Sequence, residues 1–328
     1  MNAPLVSVIV PVYQGERLIV GAVRSVLQQT HRALELLVVD DGSTDKTLER
    51  LAEIDDPRLL ILRQPNLGTA AARNAALGHA RGRYIAFLDA DDRWFPEKIA
   101  TELAVLEGCK EPAIAYSCHY AVDDVGRLLH AAALRTHHGR VFDLLVDGED
   151  FLMPSLCLFD RRIFERIGTF APKCFHEDYE FILRATRLFP IHPTGRRLAV
   201  YRQTTSGKCR AILKDYDFAL AEELRVVQEL GSTLSRDELS RLRRNVLRGL
   251  YLRFLMYGFS RHARRLLDEI DVDDLRGSAK ASIGLLFAKT GLNLVSPARA
   301  LLQNLNRIAA QGRWRRELVR RGLELRYD

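Results

Sequence analysis

Four short apolar runs, each separated from the next by a segment of helix length, limit the fold of this chain more than any other feature. The runs are VSVIVPV (6–12), LELLVVD (34–40), RLLILR (58–63) and YIAFLDA (84–90). Runs of this length that alternate with amphipathic segments are typical of parallel strands joined by crossover helices. Because the runs are almost wholly apolar, we expect their strands to be covered on both faces. The sequence therefore predicts an α/β fold with a mostly parallel central sheet flanked by helices.

The segments between and after these runs carry boundary signals. Ser43, Thr44 and Asp45 stand where a cap is needed before TLERLAEI, and another helix is expected to open near Gly68 and close at Gly82. After residue 110 the pattern becomes mixed, which predicts added strands, a turn over 123–126 and a lid before about residue 202.

The last third of the chain differs in both pattern and charge. From about Asp215 the periodicity is helical, with breaks at Gly231, Gly258, Gly277 and Pro297. Residues 221–328 hold 21 of the 49 basic side chains but 13 of the 42 acidic ones. We therefore expect an α/β domain over residues 1–215 and an all-α C-terminal region over residues 216–328.

Cysteines and hydropathy bear on the compartment. The five cysteines are odd in number, widely spaced and free of any CxxC pair, which argues against a disulfide framework and a structural zinc site. The N-terminus lacks a basic segment before its apolar run, and no stretch reaches the roughly 18 uncharged apolar residues of a spanning helix. The sequence predicts a cytoplasmic protein, either free or bound peripherally to the inner face of the cell membrane.

The fourth apolar run ends in three carboxylates within four positions, Asp89, Asp91 and Asp92. Two like charges about 4 Å apart cost roughly 4 kcal/mol at an effective dielectric constant of about 20, so the cluster favours a cation. In an extended segment, Asp89 and Asp91 would point to the same side. Carboxylate oxygens suit a hard divalent ion such as Mg²⁺ or Mn²⁺.

Polar side chains also follow the first two runs, at Tyr13 and at Asp40 with Asp41. Ligands of open α/β sheets lie beyond the carboxyl ends of the strands. These residues and residues 89–92, here called the DADD cluster, are therefore expected to line one crevice. A carboxylate can accept the imide N–H of uracil, and an aromatic ring can cover a base. Tyr13 and Asp41 are therefore predicted to form a uridine pocket.

Five motifs occur in a fixed order: SVIVPVYQGE, VVDDGSTDKT, NLGTAAARNAALGHARGRYIAFLDADD, FDRRIFERIGTF and HEDYEFILR. Taken together, they resemble the family 2 glycosyltransferases of the GT-A fold, from residue 6 to about residue 202. The resemblance implies an inverting enzyme that moves a sugar from a nucleoside diphosphate sugar, with UDP favoured, to a hydroxyl of a glycan or lipid-linked acceptor. A pathway of bacterial surface polysaccharide is the expected setting.

The resemblance also implies residue roles at the donor site. Pro11, Tyr13 and Asp41 would hold the nucleobase and ribose, with Asp40 beside them and Arg73 nearby. Asp89 and Asp91 would form the DXD motif, in which Asp91 contacts the Mn²⁺ or Mg²⁺ ion and Asp89 contacts the ribose or supports the metal. The ion would stabilise the charge that grows on the departing diphosphate.

The ED pair at the start of the last motif matches the position of the family's general base. The resemblance assigns that role to Asp178, which would take the proton of the acceptor hydroxyl as this oxygen attacks the anomeric carbon. Glu177 would contact Asp178 without contacting the substrate. Arg184, two helical turns on, would pair with an acid or with phosphate.

One departure concerns the metal site. Many relatives place a metal-binding histidine shortly after a YR pair, whereas this chain reads YRQTTSGKCR, with Gln203 in that region and no histidine. His176 and His192 are better explained as structural residues, since a lone histidine is more often structural than a ligand. Lys208 and Arg210 are alternative contacts for the diphosphate.

Two other functions compete with sugar transfer. Phosphoryl-transfer enzymes of the haloacid dehalogenase type also place an aspartate pair after a strand, but they follow it with small residues that DADDRW lacks. A basic nucleic-acid-binding protein with a degenerate catalytic domain would draw on RLRR (241–244) and RWRRELVRR (313–321). Neither run has interleaved aromatic residues or a recognisable binding module.

A membrane surface is the remaining partner that the sequence suggests. In residues 241–259, Leu242, Val246, Leu250 and Phe254 recur every fourth position, and arginines follow an adjacent face. A further eight arginines stand against three acids over residues 297–328. The helices would dock on an anionic membrane, or the same stripe would pack against neighbouring helices.

Overall fold

The structure is a computed structural model and describes residues 3–149, 151–172, 174–203 and 211–269. Its strands are β1 (Val6–Val12), β2 (Leu34–Asp40), β3 (Leu59–Arg63), β4 (Tyr84–Phe87), β5 (Arg93–Trp94), β6 (Ile114–Val122), β7 (Leu128–Ala131), β8 (Cys157–Asp160) and β9 (Ile191–Arg202). Its helices are α1 (Ile19–Leu27), α2 (Thr47–Ala52), α3 (Thr69–Leu77), α4 (Lys98–Leu106), α5 (Phe142–Val146), α6 (Arg162–Ile167), α7 (Glu177–Leu188), α8 (Tyr216–Glu229), α9 (Arg236–Met256) and α10 (Ser260–Glu269), and a 3-10 turn spans Pro154–Leu156.

The strands of the described residues form one sheet in the order β3-β2-β1-β4-β8-β6-β9-β5, with β7 paired to β6. The first four strands are parallel and joined by helices, as the apolar runs predict. β6 and β9 are also parallel, whereas β4 with β8, β6 with β8, β6 with β7 and β5 with β9 are antiparallel. The predicted strands after residue 110 are therefore present, and they make the sheet mixed.

Two hydrophobic layers cover the sheet, one on each face. Side chains of β1 alternate between them, so that Val8 and Val10 contact one layer with α1 and α4, and Ile9 contacts the other with α3 and α7. The second layer is built around aromatic residues that contact one another, including Phe87, Phe159, Phe164, Phe170 and Phe181. β1 and β2 are buried throughout, as predicted.

Two predictions about this part of the fold are wrong. β3 is not covered on both faces: Leu60 and Ile61 are exposed, because β3 is the edge strand and pairs with β2 alone among the described strands. The helix that opens after Gly68 ends at Leu77 instead of Gly82. Gly82 serves close packing, since a Cβ there would lie 2.4 Å from the backbone nitrogen of Ser7.

The C-terminal helices pack against the α/β part. Val226, Leu230 and Leu234 of α8 and the turn after it, with Leu242 and Val246 of α9, join the same hydrophobic cluster as α5 and α7. The rest of the α9 stripe, including Leu250 and Phe254, contacts α8 and α10 in a separate cluster. The stripe predicted as a membrane-docking face is therefore buried, and its packing alternative is confirmed.

Several sequence features receive a plain answer. The breaks at Gly231 and Gly258 separate the helices as predicted, whereas Gly277, Pro297 and the C-terminal arginines lie outside the described residues. Among the described residues, no helix has both the length and the apolar character to cross a membrane. The four cysteines of the described part are unpaired, and the fifth lies outside it.

Candidate active site

The DADD cluster forms a turn directly after β4. The Asp92 N–H donates to the Asp89 carbonyl at 3.0 Å, which closes a four-residue turn, and the Asp89 N–H donates to Ser155 Oγ at 3.2 Å. The extended geometry predicted for Asp89 and Asp91 is therefore wrong. The turn crowds the carboxylates because consecutive turn residues lie closer together than residues along a strand.

The carboxylates of the turn are desolvated and repel one another. Burial, followed by the Asp89 carboxylate, raises the pKa of Asp91 to about 6. Burial, followed by the Asp91 carboxylate, raises the pKa of Asp92 well above its ordinary value. The Asp92 carboxylate accepts from the Arg202 N–H at 2.9 Å, which holds the end of β9 against the turn. A bound cation would relieve this repulsion.

Arg73 joins the turn to the ED pair. This residue of α3 is 4% exposed, and its guanidinium donates to Asp89 Oδ1 at 2.8 Å and to Glu177 Oε1 at 3.2 Å. The guanidinium also lies 5.2 Å from the centre of the Phe170 ring. Burial alone would lower the pKa of Arg73. The carboxylates of Asp89, Glu177 and Asp178 outweigh this effect, so the pKa lies above its ordinary value. Two motifs that are 88 positions apart, at residues 89 and 177, thus meet at one buried cation.

The ED pair opens α7. Glu177 is buried and bound to Arg73, whereas Asp178 is half-buried and accepts from the Tyr179 N–H through Oδ1 at 2.8 Å. Acids are favoured in the first turn of a helix because the unpaired N–H groups carry partial positive charge. Arg184 lies further along α7 and donates to Glu180 and to the carbonyls of Ile167 and Thr169, so the acid is its partner here. Its contact with phosphate stays a prediction.

The residues predicted to hold the nucleobase lie at the carboxyl ends of β1 and β2. Pro11 is a buried residue of β1, and Tyr13, two positions later, is 51% exposed. The loops after the two strands are bound together, since the Asp41 N–H donates to the Val12 carbonyl at 2.8 Å and the Gln14 N–H donates to Ser43 Oγ at 2.9 Å. The structure therefore brings Tyr13 to the same edge of the sheet as Asp40 and Asp41.

Asp40 and Asp41 differ in what they bind. The Asp41 carboxylate accepts from Gln64 Nε2 at 2.8 Å and from the N–H groups of Leu67 and Gly68, each at 2.9 Å. It therefore fixes the loop that leads into α3. The Asp40 carboxylate accepts from the Ser43 N–H through Oδ1, but its buried Oδ2 has no hydrogen-bond donor among the described residues. Arg63 Nε lies 3.3 Å from that oxygen without the alignment of a hydrogen bond.

The donor set suits a metal ion held jointly with a substrate. No group of three or more His, Cys, Asp or Glu side chains in the described part of the chain is arranged to hold an ion by itself. Mg²⁺ is commonly bound through one or two carboxylates together with phosphate oxygens and water, which Asp91 and Asp89 fit. His176 is bound to Glu223 and His192 lies within β9, whereas Lys208 and Arg210 lie outside the described residues.

Two contributors to the site, Ser155 and Arg202, and one contact of Asp92 were not predicted from the sequence. Ser155 holds the start of the DADD turn, and no motif marks it. Arg202 contacts the same turn, since its N–H donates to the Asp92 carboxylate. In the sequence, the YR pair that contains Arg202 marks only the region where relatives place a histidine. Asp92 binds the end of β9, a role that its place beside the DXD motif does not show.

Comparison with known proteins gives the family. The model of the family described as "Glycosyl transferase family 2" matches residues 7–168. An uncharacterized glycosyltransferase of Haemophilus influenzae is 34% identical over 187 residues, which cover 56% of this chain and 72% of that protein. The Escherichia coli protein WfgD, named as a UDP-Glc:alpha-D-GlcNAc-diphosphoundecaprenol beta-1,3-glucosyltransferase, is 43% identical over 107 residues, which cover 32% of this chain and 42% of WfgD.

Coverage differs among the relatives. The chain spans about a quarter to a half, 24% to 48%, of the length of several other curated relatives. A solved structure, the mannosyltransferase PcManGT of Pyrobaculum calidifontis with GDP-Man and Mn²⁺, aligns with a TM-score of 0.56 and 20% identity over 94% of this chain and 86% of that one. The fold predicted from the motifs, GT-A with helices after it, is thereby confirmed, and the haloacid dehalogenase alternative is excluded. The chain belongs to glycosyltransferase family 2.

Proposed function

We propose that this chain transfers a sugar from a nucleoside diphosphate sugar, with UDP favoured, to a hydroxyl of a glycan or lipid-linked acceptor, with inversion at the anomeric carbon. The observation that carries the proposal is the contact of Arg73 with both Asp89 and Glu177. It joins the donor side of the site to the turn that holds Asp178. The name of WfgD records a UDP-sugar donor and an acceptor on a lipid diphosphate, which supports a role in surface polysaccharide synthesis.

The base pocket of this proposal is built from Tyr13 and Asp40. Tyr13 is exposed enough to cover a nucleobase, and Asp40 Oδ2 is an acceptor that no described residue satisfies. The exposed Arg63 side chain lies 3.3 Å from that oxygen and would have to move for a nucleobase to reach it. Asp41 supports the pocket through the loop of residues 64–68. We therefore propose Asp40, the neighbour of the predicted Asp41, as an acceptor for the imide N–H.

This assignment predicts different effects on affinity and stability for two variants. Asp40→Asn replaces an acceptor oxygen with a donor group, and the affinity for UDP is expected to fall by about tenfold, the equivalent of about 1.4 kcal/mol, with little change in melting temperature. Asp41→Asn instead weakens three internal hydrogen bonds and is expected to lower the melting temperature by several degrees. Titration calorimetry with UDP and thermal unfolding measure both. Equal effects of the two variants on affinity and stability would contradict the assignment.

The metal site of this proposal is Asp91, with Asp89 beside it. When bound there, Mn²⁺ or Mg²⁺ would supply a Lewis acid for the charge on the leaving diphosphate. Arg73 holds Asp89 in place, and the Asp92 carboxylate holds β9 against the same turn. The Mn²⁺ in the structure of the mannosyltransferase supports a divalent ion in this fold.

Asp178 acts as the general base in this account. Its Oδ1 accepts from the helix N-terminus, so Oδ2 is the oxygen that takes the proton of the acceptor hydroxyl. Glu177 is held by Arg73, which leaves Asp178 as the base of the pair. The hydroxyl oxygen then attacks the anomeric carbon from the face opposite the diphosphate, and one such displacement inverts the configuration.

A panel of nucleotide sugars tests the proposal. Thermal unfolding is measured with UDP-, dTDP- and GDP-linked sugars, each in Mn²⁺ and in EDTA. A ligand that binds the native state at 100 times its dissociation constant stabilises it by about 2.7 kcal/mol, so a UDP-sugar is expected to raise the melting temperature in Mn²⁺ and less in EDTA. The absence of a shift with every nucleotide sugar in Mn²⁺ would contradict the proposed function.

The remaining expectations stay proposals in a narrower form. We propose that the chain divides into two regions near residue 215 and that it is cytoplasmic. A membrane contact cannot use the buried α9 stripe and would need exposed basic side chains. In the RLRR segment, Arg241 binds Asp143 and Asp147 of the α5 region, which weakens the case for nucleic-acid binding through this run.

A further inference from the structure

The first turn of α7 is held from three directions. Asp178 lies between Glu177, which binds Arg73, and Tyr179, and His176 immediately precedes the pair. Arg73 belongs to α3. The partners of His176 and Tyr179 lie mostly in the C-terminal helices.

His176 is bound to α8 and, through it, to α9. Its Nε2 lies 2.8 Å from Glu223 Oε1, and Arg253 of α9 forms an ion pair with the same carboxylate. The Glu223 side chain is 8% exposed, so the three groups form a largely desolvated cluster. Burial lowers the pKa of His176, but the hydrogen bond and charge of Glu223 outweigh it and raise the pKa overall. The contact is therefore a charge-assisted one, which is stronger than a neutral hydrogen bond.

Tyr179 is bound to α5 and α9. Its hydroxyl donates to the Leu145 carbonyl at 2.8 Å and accepts from Asn245 Nδ2 at 3.0 Å. Asn245 belongs to α9 and is itself fixed, since Arg248 donates to its Oδ1 at 3.3 Å. A hydroxyl with both a donor and an acceptor partner has one preferred position, so the ring of Tyr179 is fixed along α7.

We propose that helices α8 and α9 set the position of Asp178 through His176 and Tyr179. Glu223 and Asn245 are then positioning residues for sugar transfer, and the C-terminal helices belong to the catalytic unit. The inference rests on the proposed role of Asp178 as general base. A base must lie within hydrogen-bond reach of the proton that it removes, and a displacement of about 1 Å can cost about 100-fold in rate.

The same helix offers a matched control. Arg187, near the far end of α7, donates to Glu238 of α9 at 2.9 Å. Asp178 and Arg187 are about 14 Å apart along the helix axis. Glu238→Gln and Glu223→Gln each neutralise a carboxylate that binds a basic side chain of this region. The first removes a contact distant from Asp178, and the second removes one beside it.

A kinetic cycle tests the proposal with UDP-glucose as donor and GlcNAc-diphosphoundecaprenol as acceptor. Glu223→Gln and Tyr179→Phe are each expected to lower kcat about tenfold with KM for UDP-glucose unchanged, whereas Glu238→Gln leaves both as they are. In the Asp178→Asn background, Glu223→Gln and Tyr179→Phe are expected to add no further loss, because they act through Asp178. A wild-type rate for Asp178→Asn would overturn the proposed function itself. A normal loss for Asp178→Asn with additive losses from the other two would overturn this inference alone.

Hydrogen exchange gives a readout that needs no substrate. The Glu180 N–H donates to the His176 carbonyl and reports the opening of the first turn of α7. Glu223→Gln is expected to speed exchange at this amide by about tenfold and to leave the Phe189 amide, at the far end, unchanged. Equal acceleration at both ends, or the same pattern in Glu238→Gln, would show a general loss of stability and would overturn the inference.

Discussion

Replacing Asp178 with asparagine is expected to lower the rate of sugar transfer by about 10² to 10⁴ while the protein still binds the nucleotide sugar. Asparagine has the shape of aspartate but cannot accept the proton of the acceptor hydroxyl. It keeps a side-chain oxygen for the Tyr179 N–H, so the first turn of α7 should remain intact. Single-turnover kinetics with the nucleotide sugar that the thermal-unfolding panel identifies separate the chemical step from binding.

The control for this variant is Asp55→Asn, at an exposed position between α2 and β3. It changes the net charge equally and is expected to leave the rate within about twofold of the parent. A rate for Asp178→Asn equal to that of Asp55→Asn would remove Asp178 from the mechanism.

Replacing Asp91 with asparagine is expected to abolish turnover, because a neutral amide binds Mn²⁺ far less well than a carboxylate. Without the ion, no Lewis acid stabilises the charge on the leaving diphosphate. The same change removes one of three crowded negative charges in the turn of residues 89–92. The variant should therefore be at least as stable as the parent in EDTA.

Two measurements on the Asp91 variant distinguish its effect from unfolding. Thermal unfolding in EDTA is expected to show an equal or higher melting temperature, and adding Mn²⁺ with a UDP-sugar is expected to raise it less than in the parent. A variant as fast as the parent, or a parent fully active in excess EDTA, would contradict the metal site.

The sequence predicts the first half of the sheet well because burial determines it. β1 and β2 occupy the predicted positions, since nearly every residue of their runs is apolar and both faces are covered. β3 carries the same kind of run and lies at the edge, a position that depends on strand order and not on its own residues. β4 ends at Phe87, three positions before the end of the apolar run, because residues 89–92 form a turn in which the carboxylates are crowded.

The candidate site is predictable in its residue types but not in its contacts. The motifs place Arg73 near the donor, yet its bond to Glu177 depends on how α3 and α7 pack. Asp40 and Asp41 are adjacent and identical in type, and the N–H groups of a loop more than twenty positions away decide which carboxylate is satisfied. No local pattern could have distinguished them.

The C-terminal helices show that a periodic pattern does not determine what packs against a helix. The stripe from Leu242 to Phe254 predicts an apolar face, and that face exists. Whether it meets lipid or protein depends on what covers it, and here α5, α7, α8 and α10 do. The residues that bind this region to the site, Glu223 and Asn245, are polar positions that a hydrophobic pattern does not mark.

The anomeric configuration of the product tests the central claim most directly. Displacement assisted by Asp178 must give a product whose anomeric configuration is opposite to that of the donor sugar. The measurement is the proton NMR spectrum of the donor and of the product formed in Mn²⁺, with the nucleotide sugar that the thermal-unfolding panel identifies. We expect an inverted configuration from the parent enzyme and no product in excess EDTA. A product that retains the configuration of the donor would contradict single displacement with Asp178 as base.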